Sequence, residues 1–424
     1  MEELWSSQGM FYALRRDFSF YVQIRIEMDH SIGRSALRRA LEPTIARYPY
    51  FRVKLVRRGE ELCLVPNDKA FLLYEDVSAP TLEPDKNNDY LLRVAAAGNQ
   101  INFCICHALA DGRGLFPFLK TLLYYYWQEN FGRDPGMSEV RLVGDRLSEE
   151  ECQDPYRRLE KMGSGAVTPN TRPQVFFHLP QVPDPSGNKY TCRFSTDRDT
   201  LMGHVKQAGG TPNAWIAQML SAVIAAEHPE RKEDIGAGVV MDLRPALQVR
   251  NSHHCSVSMI LISYAEGMEQ PEEQRTTWYR QQIAKGSTLC ERQKHAAYGQ
   301  QGIHRLKNLT TMQERIKLSR EILDRGSSYA SFTVSYIGQE NLGEVNEHIR
   351  FLDAISDVRV PTISAQIMSF GSRFFFDLNQ NFADARYALG LIHQLELAGV
   401  PCTDYQRIVL PPVPFVDVER LREA

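Results

Sequence analysis

The sequence predicts an α+β protein made of two units, each a layer of sheet covered by a layer of helices. Three observations carry this reading. First, 424 residues exceed what a single hydrophobic core usually organises. Second, segments with strand and helix periodicity occur in both halves. Third, the interval from about Gly132 to Tyr190 collects Gly136, Gly144, Gly163, Gly165, Pro169, Pro173, Pro180, Pro183, Pro185 and Gly187 without sustained periodicity, as expected of a crossover. The expected division is residues 1–165 and 166–424, and because each unit can bury a face of the other, a monomer is expected.

From Phe20 to Met28, apolar Phe20, Val22, Ile24, Ile26 and Met28 alternate with more polar neighbours, the period of a half-buried strand. Ala36, Leu37, Ala40, Leu41 and Ile45 then recur at helical spacing, with Pro43 distorting the helix and Pro49 ending it. Phe51 to Leu55 and Leu62 to Val65, separated by a polar turn at Gly59, predict a hairpin. In the second half, Trp215, Ile216, Met219, Leu220 and Ile224 predict a helix from Asn213 to Glu227, and Gly236 to Asp242 a buried strand. Ile363 to Phe370 and Phe374 to Leu378 flank a Gly371-Ser-Arg turn, and a helix follows from Asp384 to Leu397.

Composition narrows the partners. Hydrophobic residues at 43% and charged residues at 24% match ordinary globular usage and exclude a disordered or fibrous chain. With 49 Lys plus Arg against 52 Asp plus Glu, the net charge of -3 provides no basic field for nucleic acid. The opening Met1-Glu-Glu-Leu-Trp-Ser-Ser lacks a signal-peptide pattern and no stretch reaches the ~18 apolar residues of a membrane span, so a cytoplasmic protein acting on small molecules is expected. The 8 cysteines contain no Cys-x-x-Cys pair, which predicts reduced thiols rather than a zinc site or a disulfide framework.

The segment with the most chemistry is Ile101-Asn-Phe-Cys-Ile-Cys-His107. It is apolar on both faces, which predicts an interior strand ending at His107. The loop Ala108-Leu-Ala-Asp-Gly112 then leads into Leu115, Phe118, Leu119 and Leu122, a helical stripe. Asp111, four residues after His107, has three possible uses: capping the helix, pairing with the imidazole, or anchoring the loop to a distant cation. Cys106 beside His107 is not read as a nucleophile with its base, because strand neighbours point to opposite faces. His253-His-Cys255 is not read as a metal site, because three consecutive residues of a strand cannot converge on one ion.

Cys106-His-Ala-Leu-Ala-Asp-Gly112 resembles the His-His-x-x-x-Asp-Gly signature of the chloramphenicol-acetyltransferase-like superfamily, the condensation domains and related acyl-CoA-dependent acyltransferases, with Cys106 in place of the first His. Ala36-Leu-Arg-Arg-Ala-Leu with Arg47-Tyr-Pro-Tyr-Phe-Arg52 is similar to the early helix-to-strand passage of that superfamily. Lys206-Gln-Ala-Gly-Gly-Thr-Pro-Asn213, Met241-Asp-Leu-Arg-Pro245 and Thr333-Val-Ser-Tyr-Ile-Gly338 resemble passages of alcohol acetyltransferases and polyketide-associated acyltransferases. The resemblance covers nearly the whole chain.

It implies a V-shaped pseudo-dimer of two such subdomains with an active-site channel between them. His107 would be the general base that takes a proton from a hydroxyl or amine acceptor attacking a thioester, without a covalent enzyme intermediate. Asp111 would pair with an arginine of the second half, Arg244 or alternatively Arg250, and so fix the loop. Thr333, Ser335 or Tyr336 would offer a donor to the oxyanion, while Gly112 and Gly338 would serve the backbone. No bound cofactor and no metal is implied. Acyl-CoA would be co-substrate; the alternatives are a condensation-type enzyme that takes its acyl group from a carrier protein in trans, and a non-catalytic relative that only binds, against which the intact His107 weighs.

Overall fold

The computed structural model describes residues 6–16, 18–156, 175–415, 417–421 and 423. In chain order the first half supplies β1 (Tyr21–Met28), α1 (Arg34–Arg47), β2 (Val53–Arg58), β3 (Glu61–Pro66), β4 (Leu73–Tyr74), β5 (Leu92–Ala97), β6 (Gln100–Cys106) and α2 (Gly112–Phe131). The second supplies β7 (Lys189–Asp197), α3 (Arg198–Gln207), α4 (Pro212–Glu227), β8 (Gly236–Asp242), β9 (Val257–Ser263), α5 (Arg275–Gly286), α6 (Leu289–Lys307), α7 (Met312–Ser327), β10 (Phe332–Glu340), β11 (Ile349–Ser356), β12 (Ile363–Phe370), β13 (Arg373–Gln380), α8 (Arg386–Leu397) and β14 (Cys402–Leu410). The expected boundary at 165/166 lies outside the described residues.

Two sheets, each with its own hydrophobic core, form the framework. The first runs β11-β1-β6-β5-β4 and the second β14-β7-β13-β12-β10-β8-β9, while β2 and β3 form a separate hairpin. Alternation in β1 buries Ile24, Ile26 and Met28, and Leu37 and Leu41 of α1 pack in the same core as Leu115, Phe118 and Leu119 of α2. α1 continues through Pro43 to Arg47 and stops at Tyr48, the residue before Pro49. Burying Leu37 and Leu41, at about 1.5–3 kcal/mol each, offsets the roughly 3 kcal/mol that an interior proline costs. In the second core Ile216, Leu220 and Ile224 of α4 meet Val239 of β8 and Val334 of β10.

The two units exchange material. β11 comes from the second half of the chain, yet it is the edge strand of the first sheet, antiparallel to β1 from Val22↔Ser356 to Met28↔Ile349. Leu410, Val413, Phe415 and Val418 also pack in the first core. At the seam, Arg193 of β7 reaches Asp353 of β11 at 3.2 Å and Glu27 of β1 at 3.1 Å. Among the described residues no helix is long and apolar enough to cross a membrane. All 8 cysteines are free thiols, with Cys104, Cys106, Cys192 and Cys255 buried.

Candidate active site between the two sheets

β6 lies between β1 and β5, which explains why both of its faces are apolar. Where the sheet ends, the His107 N–H donates to the Phe20 carbonyl at 2.6 Å and Leu109 N–H to Cys106 O at 2.9 Å, turning the chain toward α2. The imidazole lies flat on the Phe20 ring, centroids 4.8 Å apart and planes 12° from parallel. Phe20 reaches this position from the left-handed region, at φ 45°, a conformation a bulky residue holds only where its surroundings enforce it. His107 Nδ1 is buried without a hydrogen-bond partner, whereas the half-buried ring lines a cavity, so Nε2 is the nitrogen turned to that space. Burial pushes the imidazole pKa below its ordinary value, opposed by the Asp111 charge and by the backbone at His107 and Ala110. The ring is therefore neutral near pH 7.

Asp111 has two of the uses open to it in the sequence. It caps α2, accepting from Gly114 N–H at 2.8 Å, and it meets Arg244 Nη2 at 2.7 Å, while Ser256 N–H donates to its other oxygen at 3.1 Å. Arg244, 1% exposed, also donates to Ser252 O at 2.9 Å, His254 O at 2.8 Å and Asp242 Oδ1 at 3.1 Å. These contacts hold the Asp111 carboxyl below its usual range against the opposing effect of burial, which is the largest single influence on it. Arg250 is exposed and lies outside this network. Asp111 acts on His107 through its charge and through the loop, since no hydrogen bond joins it to the imidazole.

The cavity, about 440 Å³, is walled by both units. One wall is Phe20, Val22, Ile24 and His107; the other includes Met259, Thr333, Ser335 and Ile337. Phe332 and Val334 of β10 point into the second core while Thr333 and Ser335 line the cavity, their hydroxyls bonded to no group among the described residues. Tyr336 also borders the space, but its ring packs on Phe374 of β13, centroids 5.8 Å apart. The sequence reading missed Ser356, Ser364 and Gln366, a polar strip on the cavity wall linked by Gln366 Nε2 to Ser364 Oγ at 2.9 Å and Ser356 Oγ to Ser364 Oγ at 3.0 Å. The polar-every-second-residue pattern of Ser364 and Gln366 was the available signal.

The glycines divide differently from expectation. Gly338 sits at φ 108°, which a side chain rarely adopts. Gly112 opens α2 and lines the cavity, yet an added Cβ would make only an ordinary 3.6 Å contact with Ile337. Gly114 is the constrained residue instead: a Cβ there would lie 2.0 Å from the His253 carbonyl oxygen, so the first turn of α2 rests directly on the second half's backbone. Cys106 is fully buried and its thiol is pushed up to about 12 by that burial. His253 stacks on Tyr50 at 4.1 Å and its Nδ1 lies 3.0 Å from the Glu151 carbonyl.

Comparison with known structures identifies this arrangement. TRI101 of F. graminearum, solved with coenzyme A and deoxynivalenol, superposes with a TM-score of 0.62 at 13% identity over 94% of this chain and 99% of that one. The chain therefore shares the fold of TRI101. Polyketide synthase associated protein 5 from Mycobacterium tuberculosis matches with a TM-score of 0.61 at 12% identity over 93% and 98% of the two chains. The structure describing condensation domain-mediated chain release from the enacyloxin polyketide synthase matches at 0.51 and 13% over 94% and 82%. No protein-family model and no curated protein matches the chain by sequence.

Proposed function

We propose that the protein is an acyltransferase that moves an acyl group from acyl-CoA to a hydroxyl or amine, with His107 as general base. The observation that carries this reading is the His107 imidazole on the wall of a cavity shared by both sheets, its Nδ1 buried, in surroundings that push its pKa down and favour the neutral ring. Nε2 takes the acceptor's proton as its oxygen or nitrogen bonds to the thioester carbonyl carbon. The resulting tetrahedral oxyanion collapses with cleavage of the carbon–sulfur bond, and the imidazolium returns the proton to the leaving thiolate. Thr333 and Ser335, with free hydroxyls on the opposite wall, are the donors best placed for the oxyanion. Asp111 and Arg244 position the His107 loop and do not exchange protons, because both are already held ionised by one another.

Apolar Phe20, Val22, Ile24, Met259 and Ile337 on the walls favour an acceptor that is mostly hydrocarbon around its nucleophile. Coenzyme A bound to TRI101 supports a diffusible thioester donor. The condensation-domain match favours a second reading, in which a carrier protein delivers the acyl group.

Thiol release from acyl-CoA, measured with a panel of alcohols and amines, tests the proposal. His107→Ala is expected to lower the rate by about 10²- to 10⁴-fold, or roughly 3–6 kcal/mol of barrier, with the thermal unfolding profile retained. The acid limb of kcat/KM should fall below the ordinary histidine value of 6.5, because burial depresses the base and only the neutral ring accepts a proton. Equal release by both proteins rejects the base assignment, and turnover only with a carrier-bound acyl group selects the second reading.

A further inference from the structure

At the far end of β1 from His107, Asp29, His30 and His348 come together although His348 lies over three hundred residues later in the chain. Asp29 Oδ1 is 2.7 Å from His30 Nδ1, and its Oδ2 is 3.0 Å from His348 Nδ1. The three potential ligand atoms all lie within 4.8 Å of one another. Asp29 N–H also donates to the His348 carbonyl at 2.9 Å, which fixes the two backbones.

The second nitrogen of each ring has a neighbour of its own. His30 Nε2 is 3.4 Å from the Tyr126 hydroxyl, and His348 Nε2 is 4.0 Å from Glu344 Oε1. Trp127 holds both rings, with centroids 6.0 Å from His30 and 5.0 Å from His348. Both imidazoles present the same nitrogen to one carboxylate, and the other nitrogen of His30 is within hydrogen-bond reach of a hydroxyl oxygen, the kind of support found behind metal-bound histidines.

We propose that Asp29, His30 and His348 form a binding site for a divalent transition metal of the zinc type, which clamps β11 onto β1. Two nitrogens and one carboxylate oxygen suit a borderline ion and offer too few oxygens for calcium. A tetrahedral ion with bonds of ~2.0–2.2 Å holds its ligand atoms roughly 3.3 Å apart, so the three ligand atoms, now within 4.8 Å of one another, need only a modest drawing together through side-chain rotation. Side-chain exposures of 40% for Asp29, 24% for His30 and 31% for His348 leave one side open for a water ligand. The length of β1 puts the site about 23 Å from His107 at ~3.3 Å per residue. The ion is therefore structural and independent of the acyl-transfer chemistry.

Zinc chloride titrated calorimetrically into chelator-stripped full-length protein tests the site, with thermal unfolding followed in parallel. One equivalent should bind and raise Tm. His30→Ala and His348→Ala should each weaken binding by more than the roughly 10- to 100-fold that loss of a group behind a ligand costs. Cobalt(II) should give visible absorption bands in the wild type that vanish in either histidine variant. Should His348→Ala fail to fold, His30→Ala carries the test alone, since His30 follows the end of β1. Affinity unchanged in His30→Ala, or neither heat nor a Tm shift at about 1 mM zinc, the K of a bare contact of ~4 kcal/mol, overturns the proposal.

Discussion

Removing the Asp111 carboxylate strands a buried cation, and the size of that effect follows from the contacts. Asp111→Ala leaves the Arg244 guanidinium with two backbone carbonyls and with Asp242, a partner 21% exposed at its side chain. Breaking a buried ion pair costs about 3–5 kcal/mol, and the surviving Asp242 contact sets the lower end. Loss of the α2 cap adds about 1 kcal/mol, for a total near 4 kcal/mol. Arg244→Met strands Asp111 instead, with only Gly114 and Ser256 N–H as donors, and frees the carbonyls of Ser252 and His254, so it should cost about the same. In the double variant neither charge remains. Its cost reduces to the cap and the two carbonyls, roughly 2–4 kcal/mol, against about 8 for the sum of the singles. Equilibrium urea unfolding of all four proteins measures the coupling, expected to be at least ~3 kcal/mol. Singles that add to within ~0.5 kcal/mol refute the claim that the two side chains act as a unit.

Phe20→Ala opens the imidazole to water; the His107 pKa should rise toward its ordinary value, shifting the acid limb of the kcat/KM profile upward, with roughly a tenfold loss of kcat for a stacking contact worth ~0.5–1.5 kcal/mol. An unmoved limb would show that the ring does not shield the base. Gly114→Ala should lose about 3 kcal/mol by overpacking against the His253 carbonyl, whereas Gly112→Ala should stay within ~0.5 kcal/mol, as thermal unfolding can check. Asp377, fully buried beside Asp353, has its carboxyl held well above the usual range by desolvation. The folded protein keeps that proton after the unfolded chain has released it, so stability falls as pH rises through the interval between the two values. Asp377→Asn should flatten this fall, measured as Tm between pH 4 and 8 (a range of ~4 units).

Local signals in the sequence went far. The alternation in β1, the apolar β6 ending at His107 and the stripe in α2 are set by neighbours a few residues apart, and so are the limits of β8 at Gly236 and Asp242. His107, Asp111 and Arg244 drew notice through their motifs, and the structure puts Asp111 and Arg244 in contact beside the His107 loop. Other features depend on distant partners. Nothing in Ile349 to Ser356 announces that β11 joins the first sheet rather than the second. Helix α6 buries only Ala296, Ala297, Gln300 and Leu306, too weak a stripe to stand out from its polar residues. Asp29 and His348 could not be linked by spacing at all, because a pairing of strands over three hundred residues apart carries no period.

Pairing β1 with β11 closes a chain loop of over three hundred residues, and this dictates the order of events during synthesis. β1 leaves the ribosome with one rim soon satisfied by β6, while its other rim waits for a segment translated over three hundred residues later. A nascent chain stalled before Ile349 therefore presents an unclosed row of amides and carbonyls to any passing strand. Fragments that stop before β11 should precipitate, and the nascent protein should need protection by a chaperone until β11 has been made.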